Sequence, residues 1–475
     1  MNTFKKLAYD FFQLKKHNTN IRKEFLAAVT NYFTIIYIVV LVPEILMEIF
    51  PGAVTSDGVF VNTSPVFADL NASQMFTALT AASLITAALG SFLMGFIVNK
   101  PFIQGPSLSI SAFVTYTVCK GFGYNYGQAL AIILISSVLF FILSLTGIEE
   151  KLHAALPKDV KLAASAGVGL FITTTGLMKA HIINFGDEGV KFITFSSMDY
   201  NTKTALLAIF GVVVIAIMLK KHIHAAIFIG KMVCIALALP LGLVHRANFD
   251  KFSDMLHPLS LAFKLDFTNI VDISNSSAFA KSLGILFVII FSVTLMDIIE
   301  TMTVYVAMHT ITDTDKSADV NEKTMPRALE TDAVTTFSGA LLGTTGISTY
   351  TESIAGIVEG GRTGLTSVFT ALFFLVSILF TPFVSLVPSA ATATTLIVAG
   401  IIMASVVRDM DLSDITLAIP SMLTIIIMPL SNSVITGLAT GIITYTAINT
   451  FTKRKVGAFM YATAFMCVVV LALMP

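Results

Sequence analysis

The chain is a succession of long apolar stretches separated by short polar ones, and this pattern limits what it can fold into. A helix that crosses a bilayer needs about 17–25 consecutive, mainly apolar residues. Inside a membrane every backbone polar group must be satisfied internally, so such stretches form spanning helices. The candidate spans are 27–47, 74–98, 127–146, 161–182, 203–219, 222–244, 281–308, 327–345, 364–387, 390–407, 414–430 and 431–451.

Two further apolar stretches, 105–120 and 346–360, are too short or too rich in Gly and Ser to be ordinary spans. We interpret them as half-helices that follow extended backbone, which brings the total to about 14 segments. A last apolar run, 457–474, is either a fifteenth span or an interfacial helix. The sequence therefore predicts an all-α polytopic membrane protein.

The composition agrees with a membrane protein and excludes other classes. Hydrophobic residues make up 55% of the 475 residues and charged residues only 12%, which is about half the charged fraction of a typical soluble chain. The net charge is zero, so no nucleic-acid partner is predicted. The cysteines, Cys119, Cys234 and Cys467, have neither metal-ligand nor disulfide spacing. We predict no cofactor, no metal site and no catalytic residue.

The distribution of Lys and Arg predicts the orientation. The polar N-terminal segment 1–26 is basic and contains no recognisable cleavable signal peptide, so we expect the first span to direct insertion. Basic residues at 99–100, 147–161, 220–221 and 453–455 fall on the same side, whereas the loop 48–73 has no Lys or Arg. By the positive-inside rule, the N-terminus is cytoplasmic in a cell (inner) membrane protein.

A weak internal repeat divides the chain. In each half a short segment (105–123 or 343–361) is followed by a long apolar helix, a proline and an Ala-rich helix. We predict two repeats of seven segments, 27–244 and 281–451, joined by an extracytoplasmic loop, 245–280, and followed by a C-terminal apolar segment, 452–475. An odd number of spans inverts the second repeat. Inverted repeats with matching broken helices place a transport site near the bilayer midplane.

Two carboxylic acids lie near the middle of the apolar span 281–308. Asp297 and Glu300 are three residues apart, so they share a helix face. An acid at this depth is costly and usually faces a cavity, a partner or a substrate. A carboxylate accepts N–H bonds, binds a proton or helps to hold Na⁺, so we expect substrate binding and coupling here. The alternative is an acid satisfied by Ser or Thr of neighbouring helices.

The short segments carry further candidates. Glu352 lies early in the second half-helix, where the N–H groups and dipole favour acceptors; the alternative is simple capping of that helix. Ser107, Ser109 and Ser111 begin the first half-helix, and small-residue packing is the alternative for them. Elsewhere, Thr30, Asn31, Tyr32 and Thr34 in the first span are ambiguous, and Asp332 and Arg327 could form a structural pair.

Neither half-helix region carries a buried Arg or Lys, which disfavours a dedicated anion exchanger. Acidic groups without basic ones favour a neutral solute that carries N–H groups, or a cation. No span contains a Ser-Lys, His-Glu-x-x-His or Gly-x-Gly-Asp pattern, so an intramembrane enzyme is a less favoured alternative.

Several runs together resemble one family over nearly the whole chain. TTGISTYTESIAGIVEGGRTGLTSV (344–368), VPSAATATTLIVAG and NKPFIQGPSLSISAF are similar to the azaguanine-resistance-like permeases, which are adenine, guanine and hypoxanthine transporters of the xanthine/uracil permease superfamily. The resemblance implies core and gate domains and uptake of a purine base with a cation, usually H⁺. It also admits a homodimer, because dimers are usual in the superfamily.

The resemblance also assigns residues. Glu352 matches the acid of the family's Glu-Ser pair and Asp297 the acid of its Phe-Asp-Thr-x-Gly-Thr motif. The neighbouring Thr301, Tyr350 and Ser353 join Glu300 and the three serines as substrate-binding candidates, and Glu300 and Asp297 are the coupling candidates.

Three departures fall in or beside this expected site. Glu300 stands where the family has Gly, Ser111 where it has Asn, and the first span reads TNYFTIIY (30–37). The predicted function is import of a purine nucleobase coupled to a cation, H⁺ or Na⁺. The alternative within the same fold is a transporter of a different neutral or anionic solute.

Overall fold

The computed structural model of the chain describes its helices, short strands and many of its connections. The described residues are 9–50, 72–146, 158–186, 189–193, 198–221, 223, 226–243, 259–271, 274, 276–314, 324–350, 352–381, 388–431, 433–454 and 456–473. The predicted connections at 51–71, 147–157 and 244–258 lie outside these residues. What is described is almost entirely helical, as the sequence predicts.

Most of the helices match predicted spans. In the part of the chain that is described, nine helices are long and apolar enough to cross a membrane, and three shorter apolar ones accompany them. The helices are α1 Ile21–Leu46, α2 Ala72–Leu93, α3 Leu108–Ala112, α4 Tyr126–Thr146, α5 Lys158–Lys179, α6 Tyr200–Lys220, α7 Ala226–Ala238, α8 Ser276–Thr314, α9 Thr324–Leu342, α10 Ser353–Val358, α11 Gly364–Ser377, α12 Ser389–Ala404, α13 Ile415–Leu430, α14 Val434–Phe451 and α15 Ala458–Leu473.

The first helix begins earlier than predicted. Asn20 caps α1 by accepting a hydrogen bond from the backbone N–H of Lys23, so the helix begins at Ile21 rather than near residue 27. Glu24 is fully buried inside the fold. The sequence gives no sign of this, because charged residues before an apolar run are normally solvated. Phe12 and Leu14 of the predicted N-terminal segment are also buried, against Leu365.

Both short segments have the predicted form, extended backbone followed by a helix. Strand β1, Gln104–Pro106, leads into α3, whose helical course continues with π-type geometry over Phe113–Gly121. Strand β4, Ile347–Thr349, leads into the six-residue helix α10. The two strands pair antiparallel, with Gln104 opposite Thr349 and Pro106 opposite Ile347. We call β1 with α3 the first crossing segment and β4 with α10 the second.

The chain divides into two compact units, each containing parts of both predicted repeats. Unit 1 comprises Met1–Ala154, Lys251–Thr381 and the terminal Pro475, and unit 2 comprises Ala155–Asp250 and Pro382–Met474. Both crossing segments belong to unit 1. Compact units and sequence repeats are different divisions of a chain, so the repeat boundaries at 244 and 281, like the fourteen inverted segments, stay predictions.

Unit 2 is a bundle in which α5 packs closely against α12. A Cβ added to Gly400 would lie 2.4 Å from the carbonyl oxygen of Gly169, so the two backbones touch where neither residue has a side chain. Small residues permit this approach, which is how helices commonly associate in a membrane. Unit 2 also contains a hairpin of β2, Ile183–Gly186, and β3, Gly189–Phe192.

Candidate functional site

The two crossing segments meet through their backbones in unit 1. Beyond the strand pair, the Ser107 N–H donates to the carbonyl of Gly346 at 2.8 Å and the Tyr350 N–H donates to the carbonyl of Ile103 at 3.1 Å. The hydroxyl of Ser353 accepts from the Ile103 N–H at 2.9 Å. The starts of the two short helices are therefore held next to each other, where their N–H groups and dipoles favour negatively charged groups.

A buried aspartate joins this strand pair to two long helices. Asp332 on α9 is fully buried, and its carboxylate accepts from the Gln104 side-chain amide and from the Thr301 hydroxyl. The Thr349 hydroxyl donates to it as well, at 3.3 Å. Asp332 thus connects β1, β4 and α8, and these contacts replace the pair with Arg327 that the sequence suggested. A buried carboxylate with several donors is stable only while those donors stay in place.

Glu300 lies against the start of the first crossing segment. Its carboxylate accepts from the Ser107 hydroxyl at 2.6 Å and from the Ser109 hydroxyl at 3.3 Å. Ser107 is also the N-cap of α3, where its oxygen accepts from the Ile110 N–H at 3.1 Å. Among the described residues, Glu300 forms no ion pair with a basic side chain. Three of the candidate residues, Glu300, Ser107 and Ser109, therefore lie together, and the alternative of an acid satisfied by neighbouring serines predicts the same contacts.

Asp297, one turn earlier on α8, faces a different neighbour. It is 2% exposed, and the Thr336 hydroxyl of α9 lies 3.3 Å from one of its carboxylate oxygens. The same hydroxyl donates to the carbonyl of Ile347 at 2.8 Å and accepts from the Ile347 N–H at 3.2 Å. Asp297 is therefore placed beside strand β4.

Glu352 begins the second short helix but does not cap it. It occupies the N-cap position of α10, yet in the described structure its side chain makes no capping hydrogen bond. One carboxylate oxygen instead accepts from the Tyr37 hydroxyl of α1 at 3.2 Å. Glu352 and Glu300 are both partly buried, whereas Asp297 and Asp332 are buried. These two carboxylates are therefore more open to a ligand than the two aspartates.

The other predicted site residues are satisfied within the protein. Ser111 donates to the carbonyl of Ser107 and lies 2.5 Å from the Thr345 hydroxyl. The Ser353 hydroxyl donates to the carbonyl of Tyr350 at 2.7 Å. The Tyr350 hydroxyl donates to the carbonyl of Pro106. These side chains hold the crossing segments together, and their assignment as substrate ligands stays a prediction.

Sequence reasoning did not identify three of the residues that form this region, Tyr37, Gln104 and Thr349, and it assigned Asp332 only to a structural pair with Arg327. Gln104 and Thr349 are neighbours only because β1 and β4 pair, which no local pattern reveals. Tyr37 lies in the first span, a run noted only as ambiguous. A buried Asp close to the start of a span was the one available signal, because such an acid needs donors from elsewhere.

Broken helices that meet inside a bundle of spanning helices, with buried carboxylates beside their ends, are typical of membrane transporters. The chain belongs to the xanthine/uracil permease family, whose model, described as "Permease family", matches residues 22–440. It is a permease, therefore, and not an enzyme.

Named relatives cover nearly the whole chain. A putative permease of Methanocaldococcus jannaschii is 32% identical over 94% of this chain and 94% of its own length. Adenine permease AdeQ of Escherichia coli is 29% identical, covering 97% of this chain and 93% of its own. Guanine/hypoxanthine permease PbuG of Bacillus subtilis is 31% identical, covering 92% of each.

Solved structures agree on the fold. The transmembrane domain of the cyanobacterial bicarbonate transporter BicA superposes with a TM-score of 0.58 at 16% identity, covering 88% of this chain and 97% of that one. SLC26A9 superposes with a TM-score of 0.56 at 12% identity, covering 91% of this chain and 66% of that one. At these identities the likeness concerns the fold alone.

Proposed function

We propose that this permease imports a purine nucleobase together with a cation, with H⁺ as the coupling ion. The observation that carries the proposal is the partly buried carboxylate of Glu352 at the start of α10, close enough to the partly buried Glu300 of α8 for the two acids to interact. Purine bases carry N–H donors next to acceptors, and a carboxylate in a dry site accepts such donors strongly. The names of the adenine and guanine/hypoxanthine permeases among the relatives support the same substrate class.

Glu352 binds the base in this proposal, and Asp297 contributes from α8. Glu300 carries the coupling proton, because its described partners are serine hydroxyls and no basic side chain in the described part of the chain pairs with it. A carboxylate in such surroundings is costly while ionised and is neutralised by taking up a proton or a cation. Binding of a proton at Glu300 and of a base at Glu352 would then favour each other.

The remaining parts of the proposal concern the whole protein. The N-terminus faces the cytoplasm of a cell whose inner membrane holds the permease, in line with the Lys and Arg distribution. Two inverted repeats of seven segments form the core and gate domains, and the assembly is a homodimer. Protease protection of an N-terminal tag in sealed vesicles tests the orientation, and cross-linking in membranes tests the dimer.

The experiment is uptake of radiolabelled hypoxanthine, guanine and adenine by cells that lack their own purine permeases. Uptake is measured with and without a protonophore, and again with Na⁺ replaced by choline. We expect saturable uptake that collapses with the proton gradient and is indifferent to Na⁺. Loss of uptake on Na⁺ replacement alone would make Na⁺ the coupling ion.

Variants separate the two roles. Glu352→Gln and Asp297→Asn should reduce uptake at least tenfold at equal membrane abundance, and Glu300→Gln should leave residual uptake that no longer responds to the protonophore. The matched control is Asp409→Asn, because Asp409 is exposed and pairs with the exposed Arg408 at 3.8 Å, and exposed pairs contribute little. Normal purine uptake by Glu352→Gln would refute the assignment.

The alternative in the same fold is a transporter of anions. A carboxylate already lies against the capping serine of α3, where an anionic substrate would otherwise be stabilised, and this disfavours the alternative. Competition of labelled purine uptake by excess bicarbonate or chloride is the test, and we expect none.

A further inference from the structure

The helix that begins with Glu352 is too short to hold itself in place. α10 has six residues, Ser353–Val358, and isolated helices below about 12 residues are marginal even in favourable sequences. At its start the N–H groups of Ser353 and Ala355 donate to the carbonyls of Tyr350 and Glu352, so local hydrogen bonds hold little more than one turn. The position of Glu352 therefore depends on what holds α10 from outside.

The first spanning helix accepts a further hydrogen bond from the backbone of α10. The Gly356 N–H donates to the side-chain oxygen of Asn31 on α1 at 2.7 Å, and Asn31 is fully buried. The contact is close: a Cβ added to Gly356 would lie 2.4 Å from that oxygen. Asn31 thus gives α10 a hydrogen bond from outside the helix.

The segment after α10 is held by the same face of α1. The Glu24 carboxylate accepts from the backbone N–H groups of Arg362 at 3.0 Å and Thr366 at 3.2 Å. The Thr366 hydroxyl donates to it as well, at 2.5 Å. Thr366 lies in the first turn of α11, so the buried carboxylate of Glu24 on α1 accepts hydrogen bonds from the start of α11.

Glu24 and Asn31 are seven residues apart and therefore lie on one face of α1, two turns from each other. Ala27 lies between them on that face, and a Cβ on Gly361 would come within 2.8 Å of the Ala27 Cβ. Polar contacts at both ends and a close apolar contact between them join α1 to the whole segment 356–366.

We propose that Asn31 and Glu24 are positioning residues for Glu352, holding α10 from its own first turn and from the loop beyond it. The inference rests on the proposed role of Glu352 as a substrate ligand. Neither residue touches the substrate. They act by fixing where the Glu352 carboxylate lies.

The test combines transport with a local structural measurement. Asn31→Ala should raise the KM for purine uptake about tenfold, with little change in the maximal rate per transporter at the membrane. In a Glu352→Gln background, the same substitution should change the residual uptake less than twofold. Glu24→Gln, which keeps one acceptor oxygen, should have a smaller effect in the same direction.

The matched control is Asn449→Ala. Asn449 in unit 2 is equally buried, and its side-chain amide donates a hydrogen bond to the carbonyl of Tyr445 on its own helix. Its replacement therefore removes a buried hydrogen bond at a position far in sequence from α1. Its effect on KM should be less than twofold in either background.

Hydrogen–deuterium exchange of purified protein gives a readout that does not need transport. Peptides covering 352–362 should exchange faster in Asn31→Ala and Glu24→Gln than in the wild type or in Asn449→Ala. Unchanged exchange, or a KM effect as large with Gln at position 352 as with Glu, would overturn the proposal. If the wild type takes up no purine, the proposed function fails, while the exchange measurement still decides whether α1 holds α10.

Discussion

The two crossing segments have the same plan but are stabilised in different ways. The first is capped by its own Ser107 and continues as helix as far as Gly121, and its serines meet the acid Glu300 of α8. The second is six residues long, begins with the acid Glu352, and has a first-turn N–H satisfied from α1. One fold can therefore combine a short helix that is capped by its own side chain with another that is held by a neighbouring helix, and the second of these carries the acid Glu352.

The largest expected effect comes from Asp332, which accepts hydrogen bonds from both crossing segments. Asp332→Ala should lower the free energy of unfolding by about 3 kcal/mol or more, because buried donors from β1, β4 and α8 lose their acceptor together. Thermal unfolding of detergent-purified protein measures it. The control is Asp159→Ala, since Asp159 is buried but accepts from the Asp411 N–H. Equal melting temperatures for the two variants would mean that Asp332 does not hold the two crossing segments together.

A second prediction tests whether the first segment supports itself. Ser107→Ala removes both the cap of α3 and a donor to Glu300, so it should destabilise the protein by about 1–2 kcal/mol. Ser109→Ala removes only a longer contact, of 3.3 Å, and should cost about 0.5 kcal/mol or less. Thermal unfolding of both variants checks the order. A larger loss for Ser109→Ala would show that capping is unimportant here.

A third prediction concerns the second segment. Tyr37→Phe removes the hydroxyl that donates to Glu352, a contact worth about 1 kcal/mol. The KM for purine uptake should rise about fivefold while the melting temperature stays within a degree or two of the wild type. Tyr124→Phe is the control, because Tyr124 donates only to the carbonyl of Ile270. An unchanged KM would separate Tyr37 from substrate binding.

The smallest effect lies outside both segments, in the connection before α8. Burial opposes ionisation of Asp266, but hydrogen bonds from Thr268 and Asn125 outweigh it and hold the pKa of this carboxyl below its usual range. A lowered pKa stabilises the fold above the unfolded value of about 3.9, and the contribution is lost as pH falls through the folded value.

The melting temperature of Asp266→Asn should therefore be slightly lower than that of the wild type at pH 7, and this difference should shrink below about pH 4. Melting curves of both proteins across that range decide the matter. A gap that stays constant with pH would mean that the carboxylate's charge plays no part.

Local patterns in the sequence predicted one class of feature well. The short, Gly- and Ser-rich stretches were expected to be extended backbone followed by half-helices, and β1 with α3 and β4 with α10 have that form. That form depends on residues close together in the chain, so a local pattern can reveal it. The depth of Glu300 in an apolar span indicates that this acid needs donors, but not that Ser107 and Ser109, in the other half of the chain, supply them.

What the sequence did not reveal depends on contacts between distant residues. Glu24 stood in a segment interpreted as cytoplasmic, since nothing local shows that the start of α11 supplies its donors. Asn31 was one of several ambiguous polar residues in the first span, and its partner is the backbone of Gly356, which has no side chain to suggest a pair. Asp332 was paired with Arg327 because the two are near in sequence, whereas its actual partners come from β1, β4 and α8.

The pairing of β1 with β4 has a consequence for how the protein is made. Gln104 and Thr349 lie opposite each other in the strand pair. Strand β1 therefore cannot pair with β4 until most of the chain has been synthesised and inserted. Until then the backbone polar groups of residues 104–106 need another partner, because lipid offers none. Assembly of the two crossing segments is therefore a late event in biogenesis. Substitutions that slow membrane insertion of the second half of the chain should increase degradation of the protein, because β1 then lacks its partner strand for longer.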